Sequence, residues 1–114
     1  MSEPLAPLHR DVGCRKNMMW ATGLDPSIAI DDFQASLKQH GFIEGRGGIA
    51  DKLSVYDHGS TGHRVVFVHR SGRIQIRLDA LTRHEDRVAA AKEVYDVLLA
   101  ATQAAARNSN EATA

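Results

Sequence analysis

The chain is predicted to fold as a small two-layer α+β domain. An antiparallel sheet of three to four strands carries both helices on one face and leaves an open basic face behind it. Three observations carry this prediction. Residues 63–79, HRVVFVHRSGRIQIRLD, alternate apolar and polar on either side of Ser71-Gly72, the signature of a hairpin buried on one side. Two segments, near 30–40 and 82–105, repeat apolar residues at helical spacing. The length of 114 residues, with 43% hydrophobic and 25% charged residues, suits one domain with a single small core.

Residues 1–8 hold Pro4 and Pro7 and are expected to be a flexible arm ahead of a domain over 9–106. Between Asp11 and Thr22 neither period fits well. The apolar run Met18-Met19-Trp20 favours a first strand over 15–21, packed on the sheet rather than presented to a partner. Gly23-Leu24-Asp25-Pro26 breaks that pattern. Asp25 can cap a helix with proline at its first position, and Asp31 offers a second start. Ile30, Phe33, Leu37 and His40 then recur at helical spacing, with Gly41 as the stop and Phe42 placed to close the cap.

Residues 44–48 read as a flexible glycine-rich loop. Lys52 to His58 read as a strand with Leu53 and Val55 inward and Lys52, Ser54, Tyr56 and His58 outward. The Gly59–Gly62 loop leads into the hairpin, where a two-residue Ser71-Gly72 turn would set Arg70 opposite Arg73 and Phe67 opposite Ile76. Thr82 stands three residues before Glu85, the spacing of a capping box, and a long helix is expected to run to about Ala105. Its apolar stripe is Val88, Ala91, Val94 or Tyr95, Leu98 and Ala101. Residues 107–114, RNSNEATA, read as a disordered tail.

The formal net charge is zero, so no global field draws the molecule to nucleic acid or an anionic membrane. Any basic surface is local. No run approaches the roughly 20 apolar residues that span a bilayer, and the first residues lack an apolar stretch behind a basic start. With one cysteine, Cys14, there is no intramolecular disulfide and no multi-cysteine zinc site. A cytoplasmic setting without membrane contact is the expectation.

The hairpin faces define the candidate site. Val65, Phe67, Ile74, Ile76 and Leu78 fall on one side. Lys52, Tyr56, Arg64, Arg70, Arg73, Gln75 and Arg77 fall on the other, with Val66 and Val68 between them. Arginine forks pair with phosphate or carboxylate and stack on rings, and Tyr56 would add a stacking surface. The competing view is an exposed sheet face that is simply polar, its like charges compensated by Asp57, Asp79 or a partner's acid.

Other clusters carry less. His58, His63 and His69 beside Asp57 span a loop and a hairpin without a metal-ligand spacing, so no metal or catalytic set is assigned. Gly45-Arg46-Gly47-Gly48 could cradle a phosphate, but it follows a helix and precedes a strand and lacks the Lys-Ser/Thr ending of a P-loop. Cys14 has cationic neighbours but no visible base. The αβββα order resembles the double-stranded-RNA-binding domain. That family's second helix opens with lysines, where this one opens His84-Glu85-Asp86-Arg87. The segment VVFVHRSGRIQIRL before a long helix resembles half of a TATA-binding-protein-type saddle. Topology of this kind does not carry function by itself.

The expected function is therefore a small non-enzymatic binding module without a cofactor. It would engage an acidic partner, nucleic acid or an acidic protein surface, through the arginine face. The alternative is a protein-interaction or homodimerisation module. A small enzyme built on His58, His63 and Asp57 ranks last.

Overall fold

The computed structural model describes residues 4–11, 17–59 and 61–113, with side chains through Asn108. Cys14, Arg15 and Lys16, and with them the reactive-thiol question and the start of the expected first strand, lie outside the described residues.

The chain forms an α+β domain with one six-stranded antiparallel sheet and two helices. Strands β1 (His9–Arg10) and β2 (Met19–Gly23) precede helix α1 (Ile30–Gln39). β3 (Phe42–Glu44), β4 (Leu53–His58), β5 (Arg64–Val68) and β6 (Arg73–Arg77) follow, and then α2 (Arg87–Thr113). The spatial order is β1-β2-β6-β5-β4-β3. β2 therefore docks on β6 and widens the hairpin meander on its far side, while β3 widens it on the other. The expectation of three to four strands missed β1 and β3, which at two and three residues are too short to show a period.

The hairpin faces hold. Val65, Phe67, Ile74 and Ile76 are fully buried and Leu78 nearly so, in one cluster with Phe33 and Leu37 of α1 and Val94, Leu98 and Ala101 of α2. Phe33 meets Phe67 edge to face at 5.0 Å. The two helices are tied by the buried Ser36 hydroxyl, which donates to the Ala101 carbonyl at 2.6 Å. The register differs by two residues from the expected one: Phe67 pairs with Ile74, and Arg64 with Arg77. The turn is a four-residue loop, His69 to Gly72, closed by the Gly72 N–H on the Val68 carbonyl, with Gly72 at φ 73°. A shift of two preserves every face, because side chains alternate with period two.

β4 corrects the expectation. Tyr56 pairs with Val65 and Ser54 with Phe67, so Ser54, Tyr56 and His58 point toward the helices, and Leu53, Val55 and Asp57 point away. Tyr56 is 1% exposed. A tyrosine brings more apolar area to the core than either valine or leucine at this edge, and the polar side chains of Gln34 and Ser54 lie beside its hydroxyl. His58 packs against Phe42 with ring centres 5.0 Å apart and the rings tilted by 41°, and bonds the Thr61 hydroxyl through Nδ1.

The ends also differ from expectation. Leu5 is 1% exposed in the core and bridges to Leu24, and Asp25 N donates to the Pro4 carbonyl. Residues 4–8 thus pack against the domain, because Leu5 has apolar area to bury. α1 starts at Ile30, one residue before Asp31, with Ala29 at its cap. Asp25 instead accepts the Ser27 N–H. No capping box forms at Thr82: a 3-10 turn over His84–Asp86 leads into α2, and Val88 is 57% exposed. α2 continues past Ala105 to Thr113, because the alanine-rich run and the polar residues after it contain no glycine or proline.

Candidate partner-binding face

The face away from the helices is built from three rows that cross the sheet. The first runs Met19, Arg77, Arg64, Asp57, Ile43. The second runs His9, Ala21, Gln75, Val66, Val55. The third holds Gly23 beside Arg73 and Val68 beside Leu53. Period-two alternation in β5 and β6 puts Arg64, Arg73, Gln75 and Arg77 together here, as their sequence positions imply.

Two expected members are elsewhere. Tyr56 is in the core, on the other side of the sheet, so no aromatic stacking surface accompanies the arginines. Lys52 lies in the turn before β4, exposed, with its carbonyl accepting the His69 N–H. Arg70 sits in the β5–β6 loop, exposed at the end of the hairpin.

The arginines are largely engaged within the chain. Arg73 Nη2 donates to Asp11 Oδ1 at 2.6 Å, and Gln75 Nε2 donates to Asp11 Oδ2 at 2.6 Å. Arg77 Nε donates to Gln75 Oε1 at 2.7 Å. One hydrogen-bonded chain, Arg73–Asp11–Gln75–Arg77, therefore runs along β6. The Asp11 side chain is only 11% exposed, so its pairing with Arg73 is worth more than a surface ion pair. Arg64 Nε donates to Asp57 Oδ1 at 3.1 Å, a solvent-exposed pair. The like charges Arg64 and Arg77 face each other across the strands, and their contacts with Asp57 and Gln75 relieve that opposition. Among the described residues, Arg70 and Arg77 form no ion pair.

Asp57 was a foreseeable counter-charge, one strand away from Arg64. Asp11 was not: it reaches the face only because β2 crosses to β6 and carries the N-terminal segment with it. Below the long polar side chains, Val55 and Val66 are buried although neither belongs to the helix-side core cluster. The Gly45 end of the β3–β4 loop abuts Val55 and Asp57, where a Cβ would come within 2.8 Å of Asp57 Oδ2.

The structure does not assemble the three histidines with Asp57. Asp57 and His58 point to opposite faces of the sheet. His63 is buried and accepts the Asp79 N–H on Nδ1 at 2.9 Å. Burial lowers its pKa below the ordinary value, Asp79 opposes that shift, and the nearby His58 adds to it. His69 lies away from both, beside Phe67 and Ser54. Among the described residues no group of three or more histidine, cysteine or carboxylate side chains is placed to hold a metal ion, and no helix is long and apolar enough to cross a membrane. Against protein-family models, curated proteins and solved structures, the chain finds no match.

Proposed function

We propose that the chain is a small cytoplasmic binding module that docks an acidic protein surface on the sheet face opposite its helices, with no chemical step at that face. The observation that carries the reading is the charge pattern. Arg64 and Arg73 are held by Asp57 and Asp11, while Arg70 and Arg77 stand at either end of the face without a carboxylate. Two guanidinium groups without a carboxylate, Arg70 beyond the Val68–Leu53 row and Arg77 in the row of Arg64 at the other end, match a partner with spaced carboxylates around apolar contacts. A nucleic acid fits less well. Asp11 and Asp57 would face its phosphates, and Tyr56 offers it no stacking surface.

The test is a titration of the isotope-labelled chain, followed by heteronuclear NMR, with an aspartate- and glutamate-rich peptide and in parallel with a mixed-sequence oligonucleotide. Shifts confined to residues 64–77 with the peptide, fading as salt rises, are expected. The Arg70→Glu/Arg77→Glu double variant should bind the peptide about tenfold or more weakly, a loss of roughly 1.4 kcal/mol or more, with an unchanged circular dichroism spectrum. Shifts with the oligonucleotide alone would reassign the partner to nucleic acid. Concentration-dependent shifts without any ligand would point to self-association through Ile43 and the Val68–Leu53 patch, Ile43 being 63% exposed at the β3 edge.

A further inference from the structure

On the helix side of the sheet, away from the arginine face, a cleft of about 600 Å³ opens beneath the β3–β4 loop. Its floor is a chain of polar side chains. Gln34 Nε2 donates to Ser54 Oγ at 2.7 Å, and Ser54 Oγ lies 2.7 Å from His69 Nε2. Ser54 and His69 both line the cleft. His69 is also a wall of a second, smaller cavity of about 220 Å³, lined by Ile28, Ile30 and Phe67 and also by the polar side chains of Asp25, Arg70 and Ser71. One imidazole thus stands between two cavities and is hydrogen-bonded to the serine hydroxyl that lines the larger one.

We propose that Ser54 and His69 form a nucleophile and general-base pair that hydrolyses small carboxylic esters. The geometry meets the requirement for activating a hydroxyl, a base nitrogen within hydrogen-bond reach of it. Gln34 donates to one lone pair of Ser54 Oγ, so the serine's own proton can be given to His69 Nε2, with the neighbouring Tyr56 hydroxyl as the competing acceptor. In the reaction, Ser54 Oγ attacks the ester carbonyl while that proton passes to His69. The proton then goes to the departing alkoxide, which leaves as the alcohol. A solvent water, deprotonated by His69, cleaves the acyl-serine, releases the carboxylic acid and restores the hydroxyl.

The ester has its place in the polar cleft, which Ser54 itself lines. The glycine-rich loop supplies candidate donors for the developing oxyanion. Among the described residues, the backbone N–H groups of Arg46, Gly47 and Gly48 have no acceptor, and all three residues line the cleft. Gly48 lies directly against β4, where a Cβ would stand 3.1 Å from the Leu53 carbonyl and 3.9 Å from Ser54 Cα. Any side chain there would crowd the strand that bears the serine.

The experiment treats the full chain with a fluorophosphonate, which reacts with activated serine hydroxyls, and maps the adduct by mass spectrometry. A single adduct on Ser54 is expected, absent in Ser54→Ala. His69→Gln and His69→Ala are both prepared, so that one variant failing to fold does not decide the matter. Each that keeps the wild-type circular dichroism spectrum should label on the order of 100-fold more slowly, the scale of a lost general base. Hydrolysis of p-nitrophenyl acetate should fall in the same variants. No adduct on the folded wild-type chain, an adduct on another residue, or undiminished labelling of a folded His69 variant would each overturn the assignment. These results leave the docking face untouched, because that face is tested by peptide binding and by substituting Arg70 and Arg77, not Ser54 or His69.

Discussion

At the scale of single residues, two side chains have measurable consequences. Asp11 is a nearly buried carboxylate that receives hydrogen bonds from Arg73 and Gln75. Removing the arginine strands much of that charge, which costs about 1–3 kcal/mol. Arg73→Ala should therefore lower stability in urea denaturation by that amount. Arg77→Ala, which loses one exposed contact to Gln75, should stay within about 0.5 kcal/mol of wild type. His63 gives a pH dependence. Its pKa in the folded chain lies below the ordinary value of about 6.5, so the unfolded chain takes up a proton first as the pH falls. The stability tied to neutral His63 is complete above about pH 6.5 and is lost as the pH falls from there through the depressed folded value. The Asp79 N–H bond on Nδ1 requires the same neutral form. Melting temperature against pH should decline over that window. His63→Asn, whose side-chain carbonyl can accept the Asp79 N–H without titrating, should flatten the decline.

At the scale of elements, the orientation of β4 and the seating of the N-terminal segment are the decisive features. With Tyr56 in the core, Tyr56→Ala leaves a large cavity and should cost about 3–5 kcal/mol, whereas a tyrosine on the outer face would cost almost nothing. Leu5→Ala should cost about 2–5 kcal/mol for the same reason, a loss that a loose arm would not produce. Both are read by chemical denaturation. Gly72 has a separate constraint. It sits at φ 73°, and a Cβ there would lie 3.1 Å from the Leu24 carbonyl. The β5–β6 loop is thereby held against the segment that leads into α1, and this contact keeps His69 and Ile28 on one side of the molecule.

At the scale of the whole molecule, the sheet divides two surfaces with different chemistry. The outer face is a lattice of arginine, aspartate and glutamine over buried valines, with Arg70 and Arg77 in excess of its acids. The helix side carries the Gln34–Ser54–His69 chain and its two cavities. Because, among the described arginines of the outer face, only Arg70 and Arg77 lack acid partners, any oligonucleotide binding at that face should show a shallow salt dependence, with a log–log slope no steeper than about −2. A steeper slope would mean that the ion pairs to Asp11 and Asp57 open on binding. α2 adds length rather than charge. Its 27 residues span about 40 Å, consistent with the long dimension of 46 Å against 31 and 24 Å in the others.

The local pattern alone determined the two-layer α+β class, the two helices, and which residues of β5 and β6 face the core. Alternation and helical periodicity are properties of neighbours in the chain, and they survived even a two-residue error in register. What the tertiary structure decided was everything that depends on partners distant in sequence. β2 crosses to β6, which brings Asp11 onto Arg73, 62 positions away. The orientation of β4 was decided by which side could bury a tyrosine and satisfy its hydroxyl. An alternating strand with apolar residues on both faces leaves its inward side undetermined until a core is present to choose. The same choice placed Ser54 within reach of His69 and Gln34, and no spacing in the sequence announces that contact.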